Sequence, residues 1–292
     1  MGINGNAYAS PMEYFPQFGK EIQMLFIFRT SSSGEGYIHL FFGNENHKIS
    51  IMEYLFLVSL FVIAFLYSSV GHGGGTGYLA LLALFGVAPV FMKSTALILN
   101  VFVSAIAFFS YYKAGYFKWK LVFPFLITSI PFAYFGALLK VNPSTYKIIL
   151  GIFLLIAVAR MLFVPKSIRE ISTKVPFLPA LAIGAVLGLF SGMIGIGGGI
   201  ILSPVIILSH WANVKESAAA SALFIFLNSI SGLFGLAAEG FSFEPRILIW
   251  IIVGIAGGIA GSWLGSFRLK SDKLIYMLAA VLLVASIKLF IF

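Results

Sequence analysis

The sequence has no cysteine. That excludes disulfides, iron–sulfur clusters, thiolate zinc sites and a cysteine nucleophile. Charge is also scarce, at 10% of 292 residues, against about 25% in a soluble domain. Acids are scarcest of all: none occurs between Glu53 and Glu170, and before the last loop the second half has only Glu216, Glu239 and Glu244. A cation carrier or a carboxylate relay places Asp or Glu inside a span, so this scarcity points to an anionic cargo. No Gly-x-x-x-x-Gly-Lys-Ser/Thr loop is present, which argues against a nucleotide, and the four histidines are dispersed, which argues against a metal. No cofactor is expected.

What the chain does have is apolar residues. Hydrophobic residues make up 60%, aromatic residues 16%, and mean hydropathy is +1.02. No water-soluble core of this length buries that much apolar surface, so the solvent for most of the chain is lipid. The pattern predicts an all-α integral membrane protein.

Residues 1–50 are polar and read as an N-terminal extension, disordered or preceding the true start; Met52 opens the first long apolar run. They carry neither a signal peptide nor the Ser or Thr that myristoylation requires at position 6, where Asn6 stands. Spans are expected at 51–70, 76–90, 94–112, 119–139 and 145–164, then at 177–194, 198–211, 217–237, 246–266 and 273–292. The domains are therefore a first transmembrane repeat, 51–164, a basic loop, 165–176, and a second repeat, 177–292. The second span of each set is short, so eight crossings are the alternative to ten.

Loop charges separate the two counts. With five crossings per half, Lys113, Lys118, Lys120, Lys166, Arg169, Lys174, Lys215, Arg268, Lys270 and Lys273 share one side, and Lys93, Lys140, Lys147 and Arg246 the other. That bias is the positive-inside pattern, whereas eight crossings split the same charges evenly. The central loop is then cytoplasmic, both termini lie outside, and the halves are inverted. The net charge of +9 reflects loops of a cell-membrane protein, not a nucleic-acid partner. A homo-oligomer stays open.

The halves also match in sequence. Gly71-His72-Gly73-Gly74-Gly75 precedes Gly195-Ile196-Gly197-Gly198-Gly199 by 124 positions. Duplication is common in transporter folds. Three consecutive glycines cost about 1 kcal/mol each in helix propensity and are expected to break the helix. A break exposes backbone N–H groups and the positive end of the next helix, both favourable to an anion. Ser68, Ser191, Asn100 and Asn228 are polar groups inside the spans that are candidates to line a substrate path, and His72 is a candidate proton-coupling group. The scattered Gly254-Ile255-Ala256-Gly257-Gly258 run reads as helix packing.

With these breaks and the Lys113-Ala114-Gly115-Tyr116 loop, residues 52–292 resemble the TauE/SafE family of sulfite exporters and sulfonate permeases. The segment from Gly188 through Ser191, Gly195 and Gly197–Gly199 to Pro204 is similar to the family's hallmark. The resemblance implies carriage of a small sulfur-containing anion without ATP hydrolysis. The leading expectation is a secondary transporter working by alternating access, not an enzyme. A passive anion channel shares every sequence feature. A serine hydrolase using His72 and Ser191 is the remote alternative, since the Gly-x-Ser-x-Gly elbow and a buried acid are both missing.

Overall fold

The computed structural model describes residues 46–139, 175–238 and 246–268, residues 240, 243 and 244, and isolated positions within 145–159 and 283–287. Most of the N-terminal extension, the basic loop and most of the spans expected at 145–164 and 273–292 lie outside these residues. The chain divides into two units, residues 1–53 and 54–292; the helices from Tyr54 onward belong to the second.

Every described element is helical: α1 (Asn46–Ser69), α2 (Gly75–Leu84), α3 (Pro89–Lys113), α4 (Trp119–Leu138), α5 (Phe177–Ile194), α6 (Gly199–Leu208), α7 (Val214–Ala238) and α8 (Ile247–Phe267). The helices α3, α4, α5, α7 and α8 are long and apolar enough to cross a membrane. Helix lengths run 10, 25 and 20 residues in α2 to α4 and 10, 25 and 21 in α6 to α8.

The two short helices are shorter than the expected second spans. Each starts where a glycine takes a backbone shape that other residues resist: Gly74 has φ +98° and Gly198 φ +71°. Ten residues rise about 15 Å, half of a hydrocarbon core of about 30 Å. The chain after α1 nevertheless returns along α1 to the level of Phe56, because Phe85, just past α2, sets its ring edge-on 5.2 Å from that of Phe56.

Packing does not follow the sequence halves. One apolar cluster joins α1, α2, α3 as far as Val103 and the start of α8, through Phe56, Leu60, Tyr78, Leu82, Met92 and Trp250, and takes in Ile194, Ile196 and Ile200 around the second break. The other joins α4 to α5, α6 and α7, through Phe125, Leu187, Leu202, Ile206 and Phe224. The fourth helix of each half, α4 or α8, has thus crossed to the other half's core.

Glycine makes both exchanges possible. A Cβ on Gly184, Gly188 or Gly192 of α5 would collide with the carbonyls of Phe125, Ser129 and Ala133 on α4. Gly257, Gly261 and Gly265 of α8 meet the carbonyls of Phe61, Phe65 and Ser69 on α1 in the same way. A four-residue glycine spacing lines one helix face, letting backbones touch where lipid offers no hydrophobic drive for association. The Gly254–Gly258 run is indeed packing: Gly257 abuts α1, while a Cβ on Gly254 or Gly258 would stand 3.4 or 3.3 Å from Val103 of α3.

Candidate functional site

The two breaks meet between α3 and α7. Gly73 and Gly197 both lie against Ile225 of α7, where a Cβ would come within 2.8 and 2.6 Å of its Cγ2. Both also face Asn100, near the middle of α3. A Cβ on Gly75 would stand 2.6 Å from Asn100 Nδ2 and 2.7 Å from the carbonyl oxygen of Ile196, a residue of the opposite break. The glycines therefore do two things: they break the helices, and they let the broken ends touch.

Their outer ends diverge. Gly71 packs on Ala218, in the second turn of α7, while Gly195 packs on Lys93, in the second turn of α3. Ala218 and Lys93 are 125 positions apart, so these contacts correspond under the repeat.

Each break hands over to a helix N-terminus. The first N–H groups of α2 and α6 have no acceptor within their own helices, and the positive dipole ends lie where the breaks converge. Asn100 donates its amide to Gly195 O over 3.5 Å, and its Oδ1 is buried without a hydrogen bond. Ser191 Oγ is likewise buried without one, with Cβ 3.4 Å from the Cβ position of Gly198. Asn228 lies between Ile225, which meets Gly197, and Gly232, which approaches Gly192; both its amide atoms are buried and unpaired. A buried unpaired polar group costs about 1–3 kcal/mol, and the cost is not a requirement of folding.

His72 is buried, with Nδ1 3.0 Å from Val70 O and Nε2 3.0 Å from Ser203 Oγ on α6. Ser203 Oγ lies 2.6 Å from Ser221 Oγ on α7, and Ser217 Oγ donates to Ser203 O. A polar chain thus runs from the first break into the second half. Its repeat counterparts, Ile196, Leu79 and Ala96, are apolar, so the chain occurs on one side only.

Of the sequence-predicted residues, Gly71, His72, Gly73, Gly74, Gly75, Gly195, Gly197, Gly198, Gly199, Asn100, Asn228 and Ser191 gather at these breaks. Ser68 does not: its hydroxyl donates to Phe65 O, its own helix, and it faces Gly261 of α8. Ser203 and Ser221 bond across the fold. Among the described residues there is no group of three or more His, Cys, Asp or Glu that could hold a metal.

If the unpaired amide serves a ligand and not the fold, Asn228→Leu should raise the melting temperature of the purified protein by several degrees. The gain follows from about 1–3 kcal/mol of relieved burial cost. Transport should fall sharply in the same variant, and melting curves beside flux assays check both.

A family model described as "Sulfite exporter TauE/SafE" matches residues 55–289. The chain is 34% identical over 236 residues to the "Probable membrane transporter protein y4hK" of Sinorhizobium fredii, covering 80% of this chain and 96% of that one. It is 32% identical over 195 residues to the "Probable membrane transporter protein MJ0441" of Methanocaldococcus jannaschii, covering 62% and 73%. No solved structure matches it.

Proposed function

The chain belongs to the sulfite exporter TauE/SafE family of membrane transporters, and from that premise we propose that it carries a small anion, such as sulfite or a sulfonate, by alternating access. The observation that carries this reading is the convergence of both glycine breaks, with their helix N-termini, on Asn100 and Ile225 at mid-height of α3 and α7. Positive helix ends, a buried amide and hydroxyl without partners, and the absence of acids from the middle of the spans suit an anion.

The transport cycle would move two mixed cores past one another, not one sequence half past the other. One core holds α1, α2 and α8 and reaches Ile194, Ile196 and Ile200 around the second break, and the other holds α4 with most of α5 and α6. The breaks approach the middle from Ala218 and from Lys93, so each would serve as the path to one side. His72, bonded to Ser203, is the group through which a proton would couple; the membrane potential acting on the anion is the other driving force. The serine-hydrolase alternative loses support, because the Nε2 partner of His72 is Ser203, not Ser191.

In this reading the chain crosses the cell membrane ten times, with the central loop cytoplasmic, the termini outside and the halves inverted. Each break plus its short helix completes one crossing. The cysteine-free chain suits labelling: Glu53→Cys and Val87→Cys should react with an impermeant thiol reagent from the same, outer side. Labelling from opposite sides would instead fit eight crossings.

Flux in proteoliposomes tests the function. A carrier saturates and is accelerated by unlabelled anion on the far side, whereas a passive channel shows neither.

A further inference from the structure

We propose that Lys93 is the cation that draws a small oxyanion to the second break; this rests on the anion-carrier reading and names a residue of the same path. Loop-charge counting treats Lys93 as one of the outer loop charges. The structure instead sets it inside α3, in contact with the break: a Cβ on Gly195 would stand 3.1 Å from Lys93 O and 3.3 Å from its Cγ.

Its amine is held by neutral groups. Lys93 Nζ donates to Ala137 O over 2.9 Å, at the end of α4. Gly195 caps the end of α5, so two helix C-termini turn their partial negative charge toward this corner. Partial charges of that kind position an ammonium but do not neutralise it.

Two other cations near helix ends have carboxylate partners. Lys118 pairs with Glu216 at 2.6 Å and Arg246 with Glu244 at 2.9 Å. Lys215 donates to Ser266 O and Tyr116. At the first break the position corresponding to Lys93 is Ala218, a methyl group. The second break therefore has a lysine against its backbone where the first has a methyl group.

The neighbours complete a site for an oxyanion. Gly192 packs on Ala133 and Ala137 beside the Lys93 amine's acceptor, and Ser191 next to it has a buried hydroxyl without a partner. Asn228, with its unpaired amide, is on the α7 face between Gly197 and Gly192. A cation, a hydroxyl and an amide along one break make a short run of donors, and an oxyanion can accept from each.

Thermal shifts of the full-length protein, titrated with sulfite, sulfate, thiosulfate and ethanesulfonate, test this for wild type, Lys93→Gln and Lys93→Arg. Wild type should be stabilised by at least one anion. Lys93→Gln should then need about tenfold more of it for half the effect, while Lys93→Arg stays within about threefold. An unchanged titration in Lys93→Gln would overturn the role of Lys93 and leave the carrier reading intact; no response of wild type to any of the four would overturn both. Should Lys93→Gln aggregate, acylation of wild-type Lys93 followed by peptide mass spectrometry decides: the stabilising anion should slow modification, and equal rates would overturn the proposal.

Discussion

Gly75→Ala is expected to reduce transport by about a hundredfold or more, the scale on which displacements of about 1 Å act at a working site. The added methyl would stand 2.6 Å from Asn100 Nδ2 and 2.7 Å from Ile196 O. The first can swing away, but the second is backbone of the opposite break, so the two breaks must part. Gly75 is the first residue of α2 and has no positive φ. Alanine favours the helix there by up to about 1 kcal/mol, which offsets part of the cost of parting the breaks, so stability should fall far less than transport. Tracer uptake in proteoliposomes, with the melting temperature of the same preparation, checks both halves of the prediction. Near-normal uptake would mean that the meeting of the breaks is not the path.

Gly192→Leu should act oppositely, on folding first. Its Cβ would collide with Ala133 O and lie 2.9 Å from Ala137 N. Both are backbone atoms of a helix, which cannot turn aside as a side chain can. Overpacking usually costs about 1–3 kcal/mol, and this site lies at or beyond the upper end because the seam of α5 on α4 is close-packed along its length. Detergent-solubilised Gly192→Leu should elute as aggregate or melt well below wild type. A monodisperse, fully stable variant would contradict the close packing of these two helices. Gly265→Leu, against Ser69 on α1, is the matching substitution in the other core.

The contrast between these glycines explains what the sequence made legible. Consecutive glycines repeated at 124 positions could be read directly, because a run of three is costly in helices and its recurrence marks a duplicated break. The glycines spaced by four could be read as packing positions but not assigned to partners. Which helix they touch depends on how α4 and α8 exchange between halves, and local sequence does not encode that.

Side chains divided along the same line. Asn100 and Asn228 could be picked out because a buried amide in lipid is costly wherever it points. Ser68 adjoins the first break in sequence, yet the helical period turns it with Phe61 and Phe65 toward α8. Ser203 and Ser221 sit mid-helix, where a hydroxyl ordinarily bonds its own backbone; their link to His72 exists only in three dimensions. For Lys93 a local signal does exist. Pro89 is a favoured first helical residue, and starting α3 there places Lys93 one turn inside the helix, not in a loop.

Central to the proposed function is a single site, formed by both breaks, that binds an anion and exposes it alternately. Counterflow tests it most directly: purified protein is reconstituted into liposomes, loaded with unlabelled sulfite and diluted into labelled sulfite. Alternating access predicts uptake that saturates with concentration, is accelerated by the internal sulfite, and is lost in Gly75→Ala. Uptake that stays linear in concentration, ignores the internal anion and survives Gly75→Ala would contradict it.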